Sequence, residues 1–229
     1  RLLGVPSRVR TDEELRSAYA LKGGTAPNVF WLPLPRVSID IDINYIGNLT
    51  AAEMVARRPL LEQRFGRACQ LAGCRVLHSP GQHAGGKFRL RFASRLGGEQ
   101  NLELDVSFVA RVPLFDLVER SAMLRGFENE TVTTYTLPEL AAGKFSALLS
   151  RTVARDHYDA ARIIEQDAEL LLRPEFRLAF TCFAASARDD AREWDAELQP
   201  LDAQEVASKL VPVLRVAHEP LAADPRKLA

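Results

Sequence analysis

The clearest hydrophobic pattern in the chain is a strict alternation within residues 37–45. Valine and isoleucine occupy every second position at its start, and Ser38, Asp40 and Asp42 lie between them. A period of two predicts a β-strand with one apolar and one polar face. Two carboxylates that lie two residues apart on one face are separated by about 6–7 Å, and they repel each other unless a cation or a basic group lies between them. The predicted strand therefore carries a candidate site.

A second alternation, in residues 87–92 and 102–108, predicts a β-hairpin, because the intervening glycines supply a turn. Shorter strands are predicted at residues 74–79 and 132–136. One face of the hairpin is apolar. The other presents Lys87, Arg89 and Arg91 near Glu103, Asp105 and Ser107.

Two capping boxes, which open at Thr11 and Thr50, predict the starts of two helices. Pro59 predicts a break or kink in the second of them. After residue 136 the sequence is rich in alanine, leucine and arginine and reads as helical throughout. The predicted helices cover residues 12–22, 50–72, 137–151, 155–168, 173–187 and 202–217.

These elements predict an α/β (α+β) fold, in which a mixed sheet with flanking helices precedes a C-terminal helical region. The change in composition predicts two domains, at residues 1–112 and 113–229. The boundary lies near the sequence RVPLFD.

Composition narrows the functional classes. The formal net charge of the 229 residues is zero, so any site for a polyanion must be a local patch. Three cysteines form no dense framework, which favours a reducing compartment, and we expect the cytoplasm. No run of about 18 apolar residues is present, so we expect no membrane span.

Three aspartates form a candidate metal site if the strand at residues 102–108 lies beside the strand at 37–45. Asp40, Asp42 and Asp105 then converge, and carboxylate oxygens are the ligands that Mg²⁺ prefers. Two such ions can activate an attacking oxygen and hold a leaving pyrophosphate.

The glycine turn upstream of the aspartates is a candidate phosphate site. Glycine allows the backbone to approach a phosphate closely, so Gly23, Gly24 and the hydroxyl of Thr25 can bind nucleotide phosphates.

Each feature taken singly also has a simpler explanation. An Asp-x-Asp motif can be a solvated edge of a sheet. Asp105 and Glu103 can pair with arginines across the hairpin. The glycine pair can end the helix predicted at residues 12–22. The combination and the order of the features favour the nucleotide and metal site.

A third candidate cluster lies in the helical half. Lys144, Leu148, Arg151, Arg155 and Asp159 share one face if the helix is continuous, and they would form a site for triphosphate or for RNA backbone. The alternative is a solvent-exposed Arg155–Asp159 pair, which contributes only a few tenths of a kcal/mol.

The succession of Gly-Gly-Thr, Asp-Ile-Asp and Leu-Asp-Val resembles the nucleotidyltransferase fold shared with DNA polymerase beta. More narrowly, LKGGTA followed by LPRVSIDIDINYIG, with the later Lys-x-x-Ala-Leu and Arg-Asp-x-x-Asp, resembles the AbiEii toxins, which are related to the MenT toxins. The resemblance covers residues 20–165.

The resemblance implies a role for each matching residue. Asp40 and Asp42 match the metal-binding pair, and Lys144 matches the essential lysine. Asp159 matches the aspartate of the second half, with Asp156 as the competing choice. Asp105 is implied by the wider fold as a third metal ligand.

The nucleotide-binding residues implied are Gly23, Gly24, Thr25, Ser38 and Lys144. Gly24 and Thr25 match the family's Gly-Ser position. A serine near this site can be phosphorylated in MenT-like relatives, so Ser38 is also a candidate regulatory position.

The resemblance implies a toxin of a type IV-like toxin–antitoxin system and an enzyme of the EC 2.7.7 type. Its expected substrates are a nucleoside triphosphate, bound with two Mg²⁺ ions, and an RNA acceptor, the 3′ end of tRNA, whose modification blocks translation. An AbiEi-like antitoxin is the expected partner. The alternatives are an antibiotic nucleotidyltransferase and a nucleotide-binding module without catalysis. Possible RNA contacts are Arg36, Arg151 and Arg155.

Overall fold

The structure is a computed structural model that describes residues 3–32, 35–38, 40–47, 50–78, 85–94, 97–151, 153–194 and 201–214. The chain forms two compact units. The first comprises Arg1–Phe30 and Ile39–Tyr135, and the second comprises Trp31–Ser38 and Thr136–Ala229. The division into domains at residue 112 stays a prediction.

The first unit is built around a mixed sheet of seven strands in the order β3-β4-β5-β2-β1-β7-β6. Strand β1 is antiparallel to β2 and parallel to β7, and β2 is parallel to β5. The remaining pairs, β3–β4, β4–β5 and β6–β7, are antiparallel. The strands are Tyr19–Lys22 (β1), Ile41–Tyr45 (β2), Arg75–His78 (β3), Gly85–Ala93 (β4), Glu99–Ser107 (β5), Val118–Ser121 (β6) and Thr131–Thr134 (β7).

Helices flank this sheet and make up most of the second unit. Four α-helices belong to the described part of the first unit, and further helical segments follow in the second. The α-helices are Gly4–Thr11 (α1), Glu13–Arg16 (α2), Thr25–Phe30 (α3), Ala51–Leu71 (α4), Leu137–Ser150 (α5), Ala154–Asp167 (α6), Pro174–Ala185 (α7) and Ala203–Glu205 (α8). Shorter 3₁₀ segments are Ala168–Leu172, Ala191–Glu193 and Val211–Val213, and Val206–Leu210 is a π-helix. The predicted mixed α/β fold is confirmed.

The hairpin of β4 and β5 is confirmed, and its pairing shows why the alternation arises. Phe88, Leu90, Leu102 and Leu104 are all buried, while the polar residues between them face the other side of the sheet. The capping box at Thr50 is also confirmed, since its hydroxyl accepts from the Glu53 amide.

Two predicted helix features are wrong, the break at Pro59 and the long helix at residues 12–22. Helix α4 runs through Pro59 without interruption, and the kink that was the alternative stays a prediction. The helix predicted at residues 12–22 is confined to the four residues of α2, because the Asp12 carboxylate caps it and the chain then turns into β1. Tyr19 is 2% exposed and contacts the rings of Tyr45 and Phe65, so burial in the sheet overrides the local helix signal.

The strand predicted at residues 37–45 begins only at Ile41. Ile39 lies outside the described residues. Val37 is 53% exposed, and its amide donates to the carbonyl of Val213 at 2.6 Å, so this part of the alternation belongs to the second unit rather than to the sheet.

In the second unit the helices predicted at 137–151, 155–168 and 173–187 are confirmed as α5, α6 and α7. The helix predicted at residues 202–217 is divided into short segments that end at Val213, and its last three residues lie outside the described part. These segments form a buried apolar cluster with α6, to which Tyr158, Val206 and Leu210 contribute.

Among the described residues, no helix is both long enough and apolar enough to cross a membrane.

The aromatic core of the first unit generates a stability prediction. Phe65 on α4 is fully buried and packs against the rings of Tyr19 and Phe88. We expect Phe65→Ala to lower the free energy of unfolding by about 3–5 kcal/mol, because it removes a large side chain and leaves a cavity. Leu71→Ala, at a position 64% exposed on the same helix, is the control and should change it by less than about 0.5 kcal/mol. Urea denaturation followed by circular dichroism measures both, and equal effects would contradict the packing described.

Candidate active site

Four charged side chains form a row across the centre of the sheet. Lys22 on β1 is paired in register with Asp42 on β2, and Asp42 is paired with Asp105 on β5. Asp105 is in turn paired with Lys87 on β4. Paired strands are about 4.8 Å apart, so the two aspartates are immediate neighbours with a lysine on each side. The expected approach of the two aspartate-bearing strands is thus present.

A cavity of about 300 Å³ opens at this row. Its walls carry one basic and two acidic side chains together with the backbone at the start of β4. The lining residues are Lys22, Asp42, Gly85, Gly86, Asp105, Val106 and Ser107.

The glycine turn lies directly against one of the aspartates. Gly23 has a φ of +66°, a left-handed conformation that favours glycine, and a Cβ at this position would overlap the carboxylate of Asp42. The missing side chain therefore lets the turn after β1 contact the Asp42 carboxylate. Gly23-Gly24 forms the turn between β1 and α3, and it does not end a long helix.

Thr25 fixes the position of the backbone at Asp40. Its side chain is fully buried, and its hydroxyl donates to the backbone carbonyl of Asp40 at 2.5 Å. Thr25 thereby positions the residue that precedes β2. The binding of phosphate by Thr25 stays a prediction.

Lys22 is the site residue that the sequence reasoning missed. Burial lowers the pKa of its ammonium, and the charges of Asp42 and Asp105 partly oppose that shift. The position of Lys22 immediately before the glycine pair was the feature of the sequence that could have identified it. Its place in the site follows from the pairing of β1 with β2, and the helix predicted at residues 12–22 was incompatible with that pairing.

Asp105 has an exposed side as well. Its carboxylate lies 3.5 Å from the Nζ of Lys87, which also contacts Glu103 at 2.9 Å. Of the pairs with Arg89 and Arg91 that were the alternative, Glu103 lies 3.8 Å from Arg89, whereas Asp105 contacts Lys87. The same carboxylate still lines the cavity.

A separate cluster of charges lies within the second unit. The guanidinium of Arg36 binds both carboxylate oxygens of Asp159, from Nε at 2.5 Å and from Nη2 at 2.6 Å. The Nζ of Lys144 lies 2.9 Å from Asp159 and 3.2 Å from Asp156. The exposed Arg151 closes the cluster with a contact of 3.0 Å to Asp156.

The single helix face predicted for Lys144 and Asp159 is wrong, because α5 ends at Ser150 and α6 begins at Ala154. The two residues meet instead through the packing of these two helices. Asp159 is fully buried, so the alternative of a solvent-exposed Arg155–Asp159 pair does not describe it. Lys144 contacts both Asp156 and Asp159, so the geometry keeps both aspartates as candidates.

Burial by itself raises the pKa of Asp159, but the nearby Lys144 and Arg36 lower it more, so that the carboxyl stays ionised below its usual range. Arg36 is 4% exposed and Ser38 is 9% exposed. The burial of Arg36 and its two-point contact with Asp159 indicate a positioning role, and its contact with RNA stays a prediction, as does phosphorylation of Ser38.

The row on the sheet fits a divalent cation in its donor set. Asp42 and Asp105 present carboxylate oxygens to a cavity, and magnesium sites commonly use one or two carboxylates together with water and substrate phosphates. Within the described part of the chain, no three acidic, histidine or cysteine side chains are grouped so as to hold a metal ion. Asp40 as a further ligand therefore stays a prediction.

Comparison with known protein families identifies the family of this chain. The model of the AbiEii family, described as the nucleotidyl transferase AbiEii toxin of type IV toxin–antitoxin systems, matches residues 7–224. The chain belongs to the AbiEii family. As an AbiEii protein it is a nucleotidyltransferase toxin, for which the family implies a nucleotide substrate and an antitoxin partner. The resemblance found in the sequence is confirmed.

The solved structure of a nucleotidyltransferase toxin supports the fold. The nucleotidyltransferase toxin MenT4 from Mycobacterium tuberculosis H37Rv is 17% identical, with a TM-score of 0.56 over 100% of this chain and 82% of that chain. An antigenic nucleotidyltransferase-like protein from Paracoccidioides brasiliensis is 15% identical, with a TM-score of 0.48 over 81% of this chain and 88% of that chain. No curated protein matches the chain significantly.

The contact between Gly23 and Asp42 can be tested by adding one methyl group. We expect Gly23→Ala to displace the Asp42 carboxylate and to lower nucleotidyltransferase activity about 100-fold, since displacement by about 1 Å can have that effect. Gly98→Ala is the matched control, because Gly98 has a similar φ of +71° but nothing within 4 Å of its Cβ position. Both variants carry the same backbone strain, so a similar loss of activity in both would refute a specific role for Gly23.

The buried carboxylate of Asp159 generates a prediction on pH. Its pKa is depressed in the folded state, so its contribution to stability is present above the unfolded pKa of about 3.9 and is lost as the pH falls through the folded value. At pH 7, Asp159→Asn should lower the free energy of unfolding by about 3–5 kcal/mol, because Arg36 and Lys144 lose their buried partner.

The difference between wild type and Asp159→Asn should therefore shrink between pH 5 and pH 2 in urea titrations. Asp190→Asn is the control, since Asp190 pairs with Arg192 at the surface and the change should have little effect. A difference that is independent of pH would show that the asparagine perturbs packing rather than charge.

Proposed function

We propose that this AbiEii protein is a Mg²⁺-dependent nucleotidyltransferase that adds nucleotides from a nucleoside triphosphate to the 3′ end of tRNA and thereby blocks translation. The observation that carries the proposal is the pairing of Asp42 with Asp105 at a cavity, with Gly23 lying against the Asp42 carboxylate. Family membership supports the nucleotidyl transfer, and the choice of metal and acceptor is our inference.

Asp42 and Asp105, with Asp40 assigned as a further ligand, would hold Mg²⁺, which when bound neutralises phosphate charge and favours ionisation of an attacking hydroxyl. Gly23 keeps Asp42 fixed against the turn, and Thr25 fixes the backbone of Asp40. The aspartates are thus set before substrate arrives, which limits the reorganisation that the reaction requires.

In the reaction the 3′ hydroxyl oxygen of the acceptor forms a bond to the α-phosphorus, and the bond between that phosphorus and the β-phosphate oxygen breaks. Pyrophosphate leaves with the electron pair of that bond. The hydroxyl proton passes to a carboxylate, a role that we give to Asp105 because it lines the cavity and is partly exposed. The resident groups therefore orient the acceptor and accept its proton.

Lys144 is our assignment for neutralising triphosphate charge. Two carboxylates engage two of its three N–H donors, and the side chain remains 13% exposed. Asp159 holds the ammonium in place and is itself held by Arg36. Asp159 is accordingly a positioning residue in this proposal.

The acceptor is RNA in this proposal because the family is one of toxins and because arginines lie near the second cluster. Arg151 is 62% exposed and Arg155 is partly buried, and we assign both to backbone phosphates. An AbiEi-like antitoxin and a cytoplasmic location complete the proposal.

The decisive assay supplies each of the four nucleoside triphosphates, labelled at the α-phosphate, with either total tRNA or a panel of aminoglycosides, in Mg²⁺ or in EDTA. Mg²⁺-dependent label in tRNA that a 3′-specific exonuclease releases supports the proposal. Label in the aminoglycosides alone would make the protein a small-molecule nucleotidyltransferase. Triphosphate binding without release of pyrophosphate would indicate a module that binds nucleotides without catalysis.

The roles of the acidic residues predict a sharp contrast between neighbouring positions. Asp40→Ala, Asp42→Asn and Asp105→Asn should each lower incorporation by at least about 100-fold and relieve growth inhibition, since each removes a group worth several kcal/mol in the transition state. Glu103→Gln is the matched control, two residues from Asp105 on the same face of β5, and should retain activity. Full activity of Asp42→Asn with a native circular dichroism spectrum would refute the assignment.

A further inference from the structure

Lys22 has no part in the proposed reaction so far, although it is the basic residue at the β1 end of the row. We propose that Lys22 is the internal counterion of the Asp42–Asp105 pair: its positive charge offsets part of their repulsion in the metal-free protein and competes with the divalent cation for them. This inference rests on the proposed function of the same site. It makes Lys22 a positioning residue rather than a catalytic one.

The register of the sheet places two negative charges, those of Asp42 and Asp105, side by side near Lys22. Asp42 and Asp105 are partners in a parallel pair, and like charges directly across a strand pair are destabilising. Asp42 is also held against the turn at Gly23, so it cannot swing away without moving that turn. A positive charge near Asp42 therefore stabilises the pair when no metal ion is bound.

Two lysines flank the pair, and their surroundings differ. Lys87 is 52% exposed, and its closest carboxylate is that of Glu103 at 2.9 Å, with Asp105 at 3.5 Å. Lys22 is partly buried, lines the cavity and is the register partner of Asp42. Water screens Lys87 more than Lys22, so solvent weakens the charge of Lys22 less, although Lys87 is the lysine in direct contact with Asp105.

The electrostatic environment of Lys22 agrees with this role. Burial lowers the pKa of its ammonium, while the charges of both Asp42 and Asp105 raise it. The two aspartates thus favour the charged form of a lysine that the protein interior disfavours. The same attraction acts in both directions, so the ammonium stabilises the ionised carboxylates.

A divalent cation at the aspartates would lie close to this ammonium, and the two positive charges repel each other. Lys22 therefore weakens the binding of a free metal ion while it keeps the empty site folded. When nucleotide is present, its phosphate oxygens offer the ammonium another partner.

The test compares Lys22→Met with Lys87→Met in two measurements that do not depend on activity. In EDTA, Lys22→Met should lower the midpoint of thermal unfolding clearly more than Lys87→Met does. In calorimetric titration with Mn²⁺, Lys22→Met should bind the ion about tenfold more tightly than wild type, because one nearby positive charge is removed. Lys22→Arg, which keeps the charge, should remain close to wild type in the metal titration.

A double variant separates charge from packing. Asp42→Asn removes one of the two repelling charges, so Lys22→Met combined with Asp42→Asn should recover thermal stability in EDTA relative to Lys22→Met alone. If Lys22→Met fails to fold, folding of the double variant supports the inference, and failure of both overturns it in favour of a packing role for the lysine stem.

The outcomes also distinguish this inference from the proposed function. Mn²⁺ binding by wild type with the same affinity in Lys22→Met would overturn the inference and leave the proposed metal site in place. Absence of Mn²⁺ binding by wild type at millimolar concentration would overturn both.

Discussion

The register between β2 and β5 is the constraint on which the site depends. It places Asp42 and Asp105 side by side on a parallel pair of central strands, where their charges repel. Two features of the site reduce the effect of that repulsion. Lys22 and Lys87 on the flanking strands supply positive charge, and the missing side chain of Gly23 leaves room for the Asp42 carboxylate. Such an arrangement is costly as a purely structural feature, because a pair of small polar residues would fit the same positions without repulsion. It is well suited to a positively charged ligand.

In the second unit, a buried carboxylate is compensated by direct contacts with basic side chains. Asp159 is buried between a two-point contact from Arg36 and an ammonium from Lys144, and Asp156 joins the same lysine to an exposed arginine. Buried carboxylates of this kind are stable only with full compensation, so each member of the cluster fixes the position of the others. Lys144 is thereby held in one place, although its stem alone would leave it free to move.

The sequence was most informative where local pattern and final environment agree. The hairpin of β4 and β5, the capped start of α4 and the helices α5 to α7 follow from periodicity and caps alone. The convergence of Asp42 and Asp105 was expected only on the condition that their strands lie side by side, which the local pattern does not supply. It failed where long-range pairing decided the outcome. Residues 19–22 carry a helix signal, but burial of Tyr19 and pairing with β2 make them a strand, and Lys22 was missed for that reason. The separate helices predicted at residues 137–151 and 155–168 left the contact between Lys144 and Asp159 undetermined, because the packing of two helices is not a local property.

The path of the chain between α3 and β2 has a consequence for how this protein can be divided. Residues 31–38 belong to the second unit although sheet residues precede and follow them, and Arg36 and Val37 are tied there to Asp159 and Val213. A truncation after residue 135 would keep that segment but delete its partners. The guanidinium of Arg36, which is buried in the intact chain, would then lose its contact with Asp159. A single cut of the chain therefore cannot separate the unit that contains the sheet from the second unit.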